Sequence, residues 1–434
     1  MNIVERAKGF VESMHELVRR TAWDWRQCPK CGGSDTIRYG AYRCHVWYLA
    51  GRRDEVVQRH KCKRCSSSGR TFTYSEQPAY RVRGSWYARE VHRLSVDFWQ
   101  HGRSSLRRTA EFVRSHLGHQ ERWLYWRLLD REPAEGERCH LAASTVQRWL
   151  DGAGREGQRT VKGQLEGVPT SGQVGVDGLW AVIRGRAKRV VLVVVDSVSG
   201  LIHPPVVVAG EESEESWQKL FARAVRAGLP MERLRGVTSD GASGLVGYVG
   251  RALWWVNHQR CVFHLWRNLG GELARCAAEA AKELVGEAAA AARRETRREL
   301  GSLVRAVIDA RGDNAAQLAL ASLRAHRLGV GLAKRVEQHL DATLVHLSAY
   351  NRGLLRVGPE WVWRDFRLRV SRGRNHGSDE RLERAALVWQ IYSNFEPAQR
   401  RSERKRHYKR PGKSCLEMAG VPPGTMTYLD ALAV

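Results

Sequence analysis

Between residues 173 and 240 the chain alternates short apolar runs with one amphipathic stretch, and this order restricts the fold more than any other feature. Gln173-Val174-Gly175-Val176-Asp177, Val190 to Asp196, Ile202 to Val208 and Gly236 to Asp240 have the length and β-branched content of strands. Ser213 to Ala227, between the third and fourth runs, has helical spacing and ends at Gly228. Residues 265–345 then keep helical spacing almost throughout, and Ala277 to Arg294 is nearly an Ala/Glu/Arg run of high helix propensity. So long a helical block cannot belong to a compact α/β layer, and it reads as an inserted subdomain. From residue 360 the spacing is helical again.

The first third has a different texture. Residues 1–20 read as a short amphipathic helix, and residues 22–75 are rich in Cys, Gly, Arg and aromatics with strand-like patches such as Thr71-Phe72-Thr73-Tyr74. Cys28-Pro-Lys-Cys31 and Cys62-Lys-Arg-Cys65 are two knuckles in which a tight turn aims two thiolates at one ion. Together they supply the four sulfurs of a structural zinc site, with a hairpin's length of chain between them, so a zinc ribbon with a folding role is expected. Cys44 and His45 lie between the knuckles and are less neat substitutes as ligands. Nine cysteines including two C-x-x-C pairs suit metal ligation in a reducing cytoplasm better than a disulfide framework.

Helical spacing holds from about 86 to 150, with breaks at His101-Gly102-Arg103 and at Pro133 to Gly136, and the Gly- and charge-rich residues 151–172 read as a linker. The segment His140 to Leu150 resembles the end of a helix-turn-helix. Ser144 would cap its second helix, with Val146, Trp149 and Leu150 inside and Thr145, Gln147 and Arg148 facing bases or phosphates. The segment Ser104 to Ala110 is its upstream counterpart.

Asp177 and Asp240 each close an apolar run and are each followed by glycine. One such aspartate usually caps a loop, and Asp196 reads as a hairpin residue of that kind. Two carboxylates converging from neighbouring strands, however, need cations, and a pair of Mg²⁺ or Mn²⁺ ions would suit an in-line phosphoryl displacement. Three strands, a helix and a further strand is also the order of an RNase H-like sheet. The expected class is therefore α/β: an RNase H-like mixed sheet interrupted by a helical insertion, preceded by zinc-ribbon and all-α helix-turn-helix modules. The expected divisions are 1–80 (ribbon), 81–155 (helix-turn-helix), 156–268 (first part of the core), 269–350 (insertion) and 351–434 (rest of the core and a basic tail).

The stretch Asn257 to Leu269 adds a third motif, Cys261-Val-Phe-His264. Asp177-Gly178, Ser239-Asp240-Gly241 and Cys261-x-x-His264, in this order and before a long helical block, resemble the Mutator-like transposases and their bacterial insertion-sequence relatives over about residues 173–400. That resemblance implies a metal-dependent transposase with two aspartates and a glutamate as its acids, and it places Cys261 and His264 beside the catalytic centre. The implied glutamate follows the insertion. Glu360, in Gly358-Pro359-Glu360 ahead of Arg364 and Arg367, matches that position, although the usual Thr/Asn-rich lead-in is missing; Glu380 and Glu383 are its rivals. Arg364 and Arg367 would face DNA phosphates.

Charge agrees with a nucleic-acid partner. Lys and Arg number 72 against 46 Asp and Glu, a net charge of +26, and each neutralised phosphate releases condensed counterions. At 434 residues the chain exceeds one ordinary core, so two or three folded units are expected. No apolar run approaches membrane-spanning length, and the acidic residues of the first segment argue against a secretory signal. The expected partners are double-stranded DNA (terminal inverted repeats and target), with no membrane and a homodimer or larger assembly. The expected place is a prokaryotic cytoplasm, at the nucleoid. The basic segment Arg400 to Lys413 would grip flanking DNA. The competing readings are a non-catalytic DNA-binding regulator with a degenerate core and a structure-specific RNase H-like nuclease.

Overall fold

The computed structural model describes residues 26–66, 70–76, 80, 82, 85–129, 138–181, 183, 188–348, 358–370, 376–397, 412–422 and 424–434, without the side chains of 120–129 and Trp361. The expected helix at 1–20, the break at Pro133 to Gly136 and most of the basic segment 400–413 lie outside the described residues. The chain divides into two compact units between Gly152 and Ala153.

The first unit opens with a three-stranded antiparallel sheet, β1 (Thr36–Tyr48), β2 (Gly51–Cys62) and β3 (Thr73–Ser75). A two-residue turn at Leu49 and Ala50 pairs Tyr48 with Gly51, and the ladder runs back to Thr36 opposite Cys62. Gly51 has φ of 115°, a conformation that side chains resist, so glycine is required at this turn. Helices α1 (Arg89–His101), α2 (Leu106–Leu129) and α3 (Ala143–Arg159) follow. Phe98 of α1 stacks on Phe112 of α2 with centroids 3.9 Å apart, and buried Val146 and Leu150 form the inner stripe of α3. Helix α3 differs from expectation at both ends. It begins one residue before Ser144, which therefore sits inside the first turn instead of capping it, and it runs to Arg159 through the supposed linker. The glycines taken as linker signals at 154 and 157 are packing glycines: a Cβ on Gly154 would lie 2.3 Å from the Cβ of Arg384.

The second unit is built on a five-stranded mixed sheet of β4 (Gln173–Ala181), β5 (Arg189–Asp196), β6 (Val206–Ala209), β7 (Gly236–Ser239) and β8 (Asn257–Arg260) in the order β6-β5-β4-β7-β8. Strands β4, β5 and β6 are antiparallel neighbours, whereas β7 and β8 run parallel to β4. Val174, Val176, Leu192 and Val194 point to one face, where they meet Trp217, Leu220 and Phe221 of α4 (Glu214–Ala227) and Leu245 and Val249 of α5 (Ser243–Ala252). The third strand is shorter than its apolar run suggests. Ile202 makes only an isolated bridge to Val195, because Pro204 and Pro205 have no N–H for a ladder. Its carbonyl is instead held at 2.8 Å by both Gln390 and Asn394 of α12 (Asp379–Phe395). Strand β8 was not expected, because its sequence Asn-His-Gln-Arg carries no apolar pattern. Buried Gln259 replaces apolar packing there, bonding the carbonyl of Thr343 at 2.6 Å and the N–H of His346 at 2.9 Å.

Helices α6 (Val262–Ala280), α7 (Gly286–Ile308), α8 (Asp313–Ala325), α9 (Val330–Glu337) and α10 (Leu340–Leu344) enclose a core of their own, formed by Leu269, Leu300, Val304, Leu320, Leu323 and Leu332 among others. The chain then returns to the sheet as α11 (Glu360–Arg369), α12, α13 (Cys415–Met418) and α14 (Tyr428–Ala431). Among the described residues no helix is long and apolar enough to cross a membrane.

Candidate functional site

Strand register brings the strands that carry two distant aspartates together. Gly175 of β4 pairs in parallel with Thr238 of β7, so Asp240, just past the end of β7, stands near enough to Asp177 for the two charges to act on each other, while its Oδ1 accepts the N–H of Ala242 at 2.9 Å. Asp177 is not at a strand tip as expected: β4 continues to Ala181, whereas β7 stops at Ser239, and Asp177 is buried. Side chains alternate along a strand, so Asp177 faces away from Val174 and Val176, toward α11. There Trp363 donates its indole N–H to Asp177 Oδ2 at 2.8 Å. Gly175 opens the same face, since a Cβ on it would stand 2.8 Å from the ring of Pro359. That close approach brings Glu360, the first residue of α11, over the sheet.

Cys261 and His264 fix the glutamate from the other side. The thiol of Cys261, buried at the start of α6, accepts the N–H of Gly358 at 3.1 Å, and its own N–H bonds Ser239 O at 2.6 Å. One turn later His264 Nε2 lies 2.6 Å from Glu360 Oε1. The Cys-x-x-His pair thus ties the end of β7 to the Gly358-Pro359-Glu360 approach. Atoms of Asp177, His264 and Glu360 lie within 4.8 Å of one another, a spacing able to hold a metal ion. The rival acids stand elsewhere: Glu383 pairs with Arg223 at 2.5 Å, and exposed Glu380 accepts from Ser378. Arg364 and Arg367 are exposed on α11.

Sequence reading missed Glu212, which sits in an acidic run that looks like an ordinary helix start. Its carboxyl lies on Gly178, where an added Cβ would come within 2.5 Å of Glu212 Oε1, and its buried Oε2 has no hydrogen-bond partner. The glycine after Asp177 is therefore the space Glu212 occupies. Burial, then Asp240 and Asp177, push Glu212 up to about 7. Burial likewise pushes Asp177 up to about 6, helped by Glu360 and Asp240 and opposed by His264 and the Trp363 hydrogen bond. Burial works against the charge of His264, but Cys261, Glu360 and Asp177 together raise it to about 10. Asp196 is the contrasting case: its buried carboxylate accepts from Ser171 and Ser199 at 2.7–2.8 Å through both backbone N–H and hydroxyl groups, which makes it a turn residue.

In the first unit the sulfurs of Cys28, Cys31, Cys62 and Cys65 converge within 4.8 Å. Cys28 lies 3.8 Å from Cys65, and Cys31 lies 3.7 Å from Cys62. A zinc tetrahedron with bonds of about 2.3 Å has edges of roughly 3.8 Å, so the set could bind zinc. Lys30 N–H points at Cys28 Sγ and Cys65 N–H at Cys62 Sγ, both at 3.4 Å, which orients each knuckle. Cys44 and His45 are outside this group; His45 stacks on Trp86 instead. On α3, Gln147 is held by Asp151 at 3.1 Å, while Arg148 is exposed and bonds Thr145 at 3.1 Å.

Residues 205–352 match the family model described as Transposase, Mutator family. This region is similar to transposases of the Mutator family. The match spans β6 through the helical core and includes Asp240, Cys261 and His264. No curated protein matches the chain.

Proposed function

We propose that the chain is a transposase of the DDE type, which binds element ends and carries out metal-dependent strand cleavage and transfer. The convergence of Asp177 and Glu360 with His264, and the nearness of Asp240 at the end of β7, carry this reading. Strand order β6-β5-β4-β7-β8 with the helical core between β8 and α11 supports an RNase H-like core with an insertion. Glu212 stands as a fourth carboxylate. Oxygen donors in this number suit a hard divalent cation such as Mg²⁺ or Mn²⁺, and the mutual repulsion of Asp177 and Glu212, with Glu212 Oε2 buried and without a hydrogen-bond partner, fits one. Bound there, such ions would activate water and neutralise charge on a phosphodiester. The protein's own part is positional: Trp363 fixes one oxygen of Asp177, and Cys261 holds the backbone that delivers Glu360. Arg364 and Arg367 extend positive charge from the site for DNA phosphates, and zinc in the four-cysteine set would hold the ribbon. Thr145, Gln147 and Arg148 would serve the inverted repeats, and handling two ends together calls for a dimer or larger assembly.

With Mg²⁺ and a labelled duplex carrying the element's end, nicking followed by joining to a second duplex is the expected result. Binding without nicking would favour a non-catalytic regulator, and nicking without joining a structure-specific nuclease.

Two further expectations separate this site from an ordinary buried cluster. Gly178→Ala should displace the Glu212 carboxyl, and Glu212→Gln should remove its charge. Both variants should weaken Mn²⁺ binding, measured calorimetrically, by about tenfold; unchanged affinity in both would remove Glu212 from the site. The second concerns pH. Carboxyls raised to about 6 and about 7 bind protons in the folded state that the unfolded chain has released. Without divalent ions the melting temperature should therefore decline as pH rises through that window. Mn²⁺ affinity should change oppositely, falling as pH drops through the same window, because each ligand must lose its proton. A flat affinity profile from above about 7 to below about 6 would contradict the assignment.

A further inference from the structure

The first unit holds a cleft of about 490 Å³ with an unusual lining for a duplex-binding module. Its rim carries Arg52, Arg138 and Arg148, and its walls carry Trp86, His45 and Trp149. Among the described residues no carboxylate lines it. Its size falls within the roughly 300–1,000 Å³ typical of pockets that enclose a small ligand.

The aromatic walls are fixed before any ligand arrives. Trp86 is 53% exposed, yet its carbonyl accepts Trp47 N–H at 2.8 Å, and Trp47 O in turn accepts Ala88 N–H at 2.8 Å. His45 stacks on the Trp86 ring with centroids 4.6 Å apart and planes 17° apart. Burial and the nearby Arg52 keep His45 below its usual range, so it packs as a neutral ring. Opposite, Trp149 stacks on His92 at 3.9 Å and meets Tyr87 edge-on at 5.3 Å. A large exposed ring held by the backbone on one side and by a stacking partner is a platform for another flat ring.

The geometry points to this cleft as a binding site for an unpaired DNA base and its flanking phosphates. A duplex presents its bases edge-on from the grooves, so no base face can reach Trp86 without leaving the stack. An unpaired base can lie on the Trp86 ring while Arg52, Arg138 and Arg148 meet phosphate oxygens, the pairing of aromatic platform and cationic track that single strands require. The site goes beyond the strand-cleavage reading and does not depend on it. It uses Arg148 for a single strand, where the helix-turn-helix reading uses it for a duplex groove.

The test compares a short single-stranded oligonucleotide with a blunt duplex of the same sequence, both titrated against the full chain without divalent ions. Trp86→Ala should weaken single-strand binding about tenfold, with duplex binding unchanged, and Trp86→Phe should restore most of the loss. 2-Aminopurine placed singly along the strand should be quenched by the natural chain at one or more positions and stay bright with Trp86→Ala. Because Trp86 is half exposed, its replacement leaves the core intact, and Trp86→Phe controls for folding. Equal losses on strand and duplex, or a probe that stays bright with the natural chain at every position, would overturn the inference. Neither result would bear on cleavage by the acidic site of the second unit.

Discussion

Asp177→Asn and Asp240→Asn should each lower Mg²⁺-dependent strand cleavage by about a thousandfold, since metal-borne stabilisation of a phosphoryl transition state is worth several kcal/mol. Asparagine is the informative replacement. At position 177 it keeps an oxygen for the Trp363 indole N–H, 2.8 Å away in the natural chain, whereas alanine would leave that buried donor unpaired at a cost of about 1–3 kcal/mol. The folded state already disfavours the charge of Asp177, which is why its carboxyl is raised to about 6. Removing that charge should therefore hold or raise the melting temperature of the metal-free protein, and lost activity cannot be ascribed to unfolding. DNA affinity should not fall with cleavage, because removing a carboxylate makes the surface more favourable to phosphates. Cleavage within about tenfold of the natural chain in both variants would end the two-aspartate reading.

The strands that carry these aspartates were legible for a physical reason: the apolar runs around them have few alternatives to strands, and the parallel pairing of Gly175 with Thr238 sets two of those strands beside each other. Asp196 shows the limit, since it also ends an apolar run, and only the donors of Ser171 and Ser199 reveal it as a turn residue. Glu360 was placed by resemblance, and the contacts that hold it, Pro359 against Gly175 and His264 at 2.6 Å, arise from chain segments far apart in sequence. Glu212 left no local signal at all, because Gly178 looks like any turn glycine until the carboxyl above it is seen. Polar strand β8 and the helical extension of α3 to Arg159 were hidden likewise, the first by buried Gln259 and the second by glycines that serve packing. In each case tertiary contacts overrode local propensity.

Cys62→Ser should have the largest effect on the first unit. Cys62 is fully buried, closes β2, and supplies both a sulfur of the four-cysteine set and the acceptor for Cys65 N–H. Short knuckles joined by a long, largely exposed hairpin bury little apolar surface, so the ion must supply most of the free energy that fixes them. Structural zinc contributes on the order of 10 kcal/mol or more to such folds, far beyond what the small core of the ribbon can replace. The natural chain should carry one tightly held zinc per molecule by elemental analysis. Cys62→Ser should lose that zinc, and limited proteolysis should then cut within residues 26–76 while the sheet of the second unit stays protected. Cys44→Ser should keep its zinc, because Cys44 is outside the converging group. Full zinc content in Cys62→Ser would mean that the four sulfurs converge without sharing an ion.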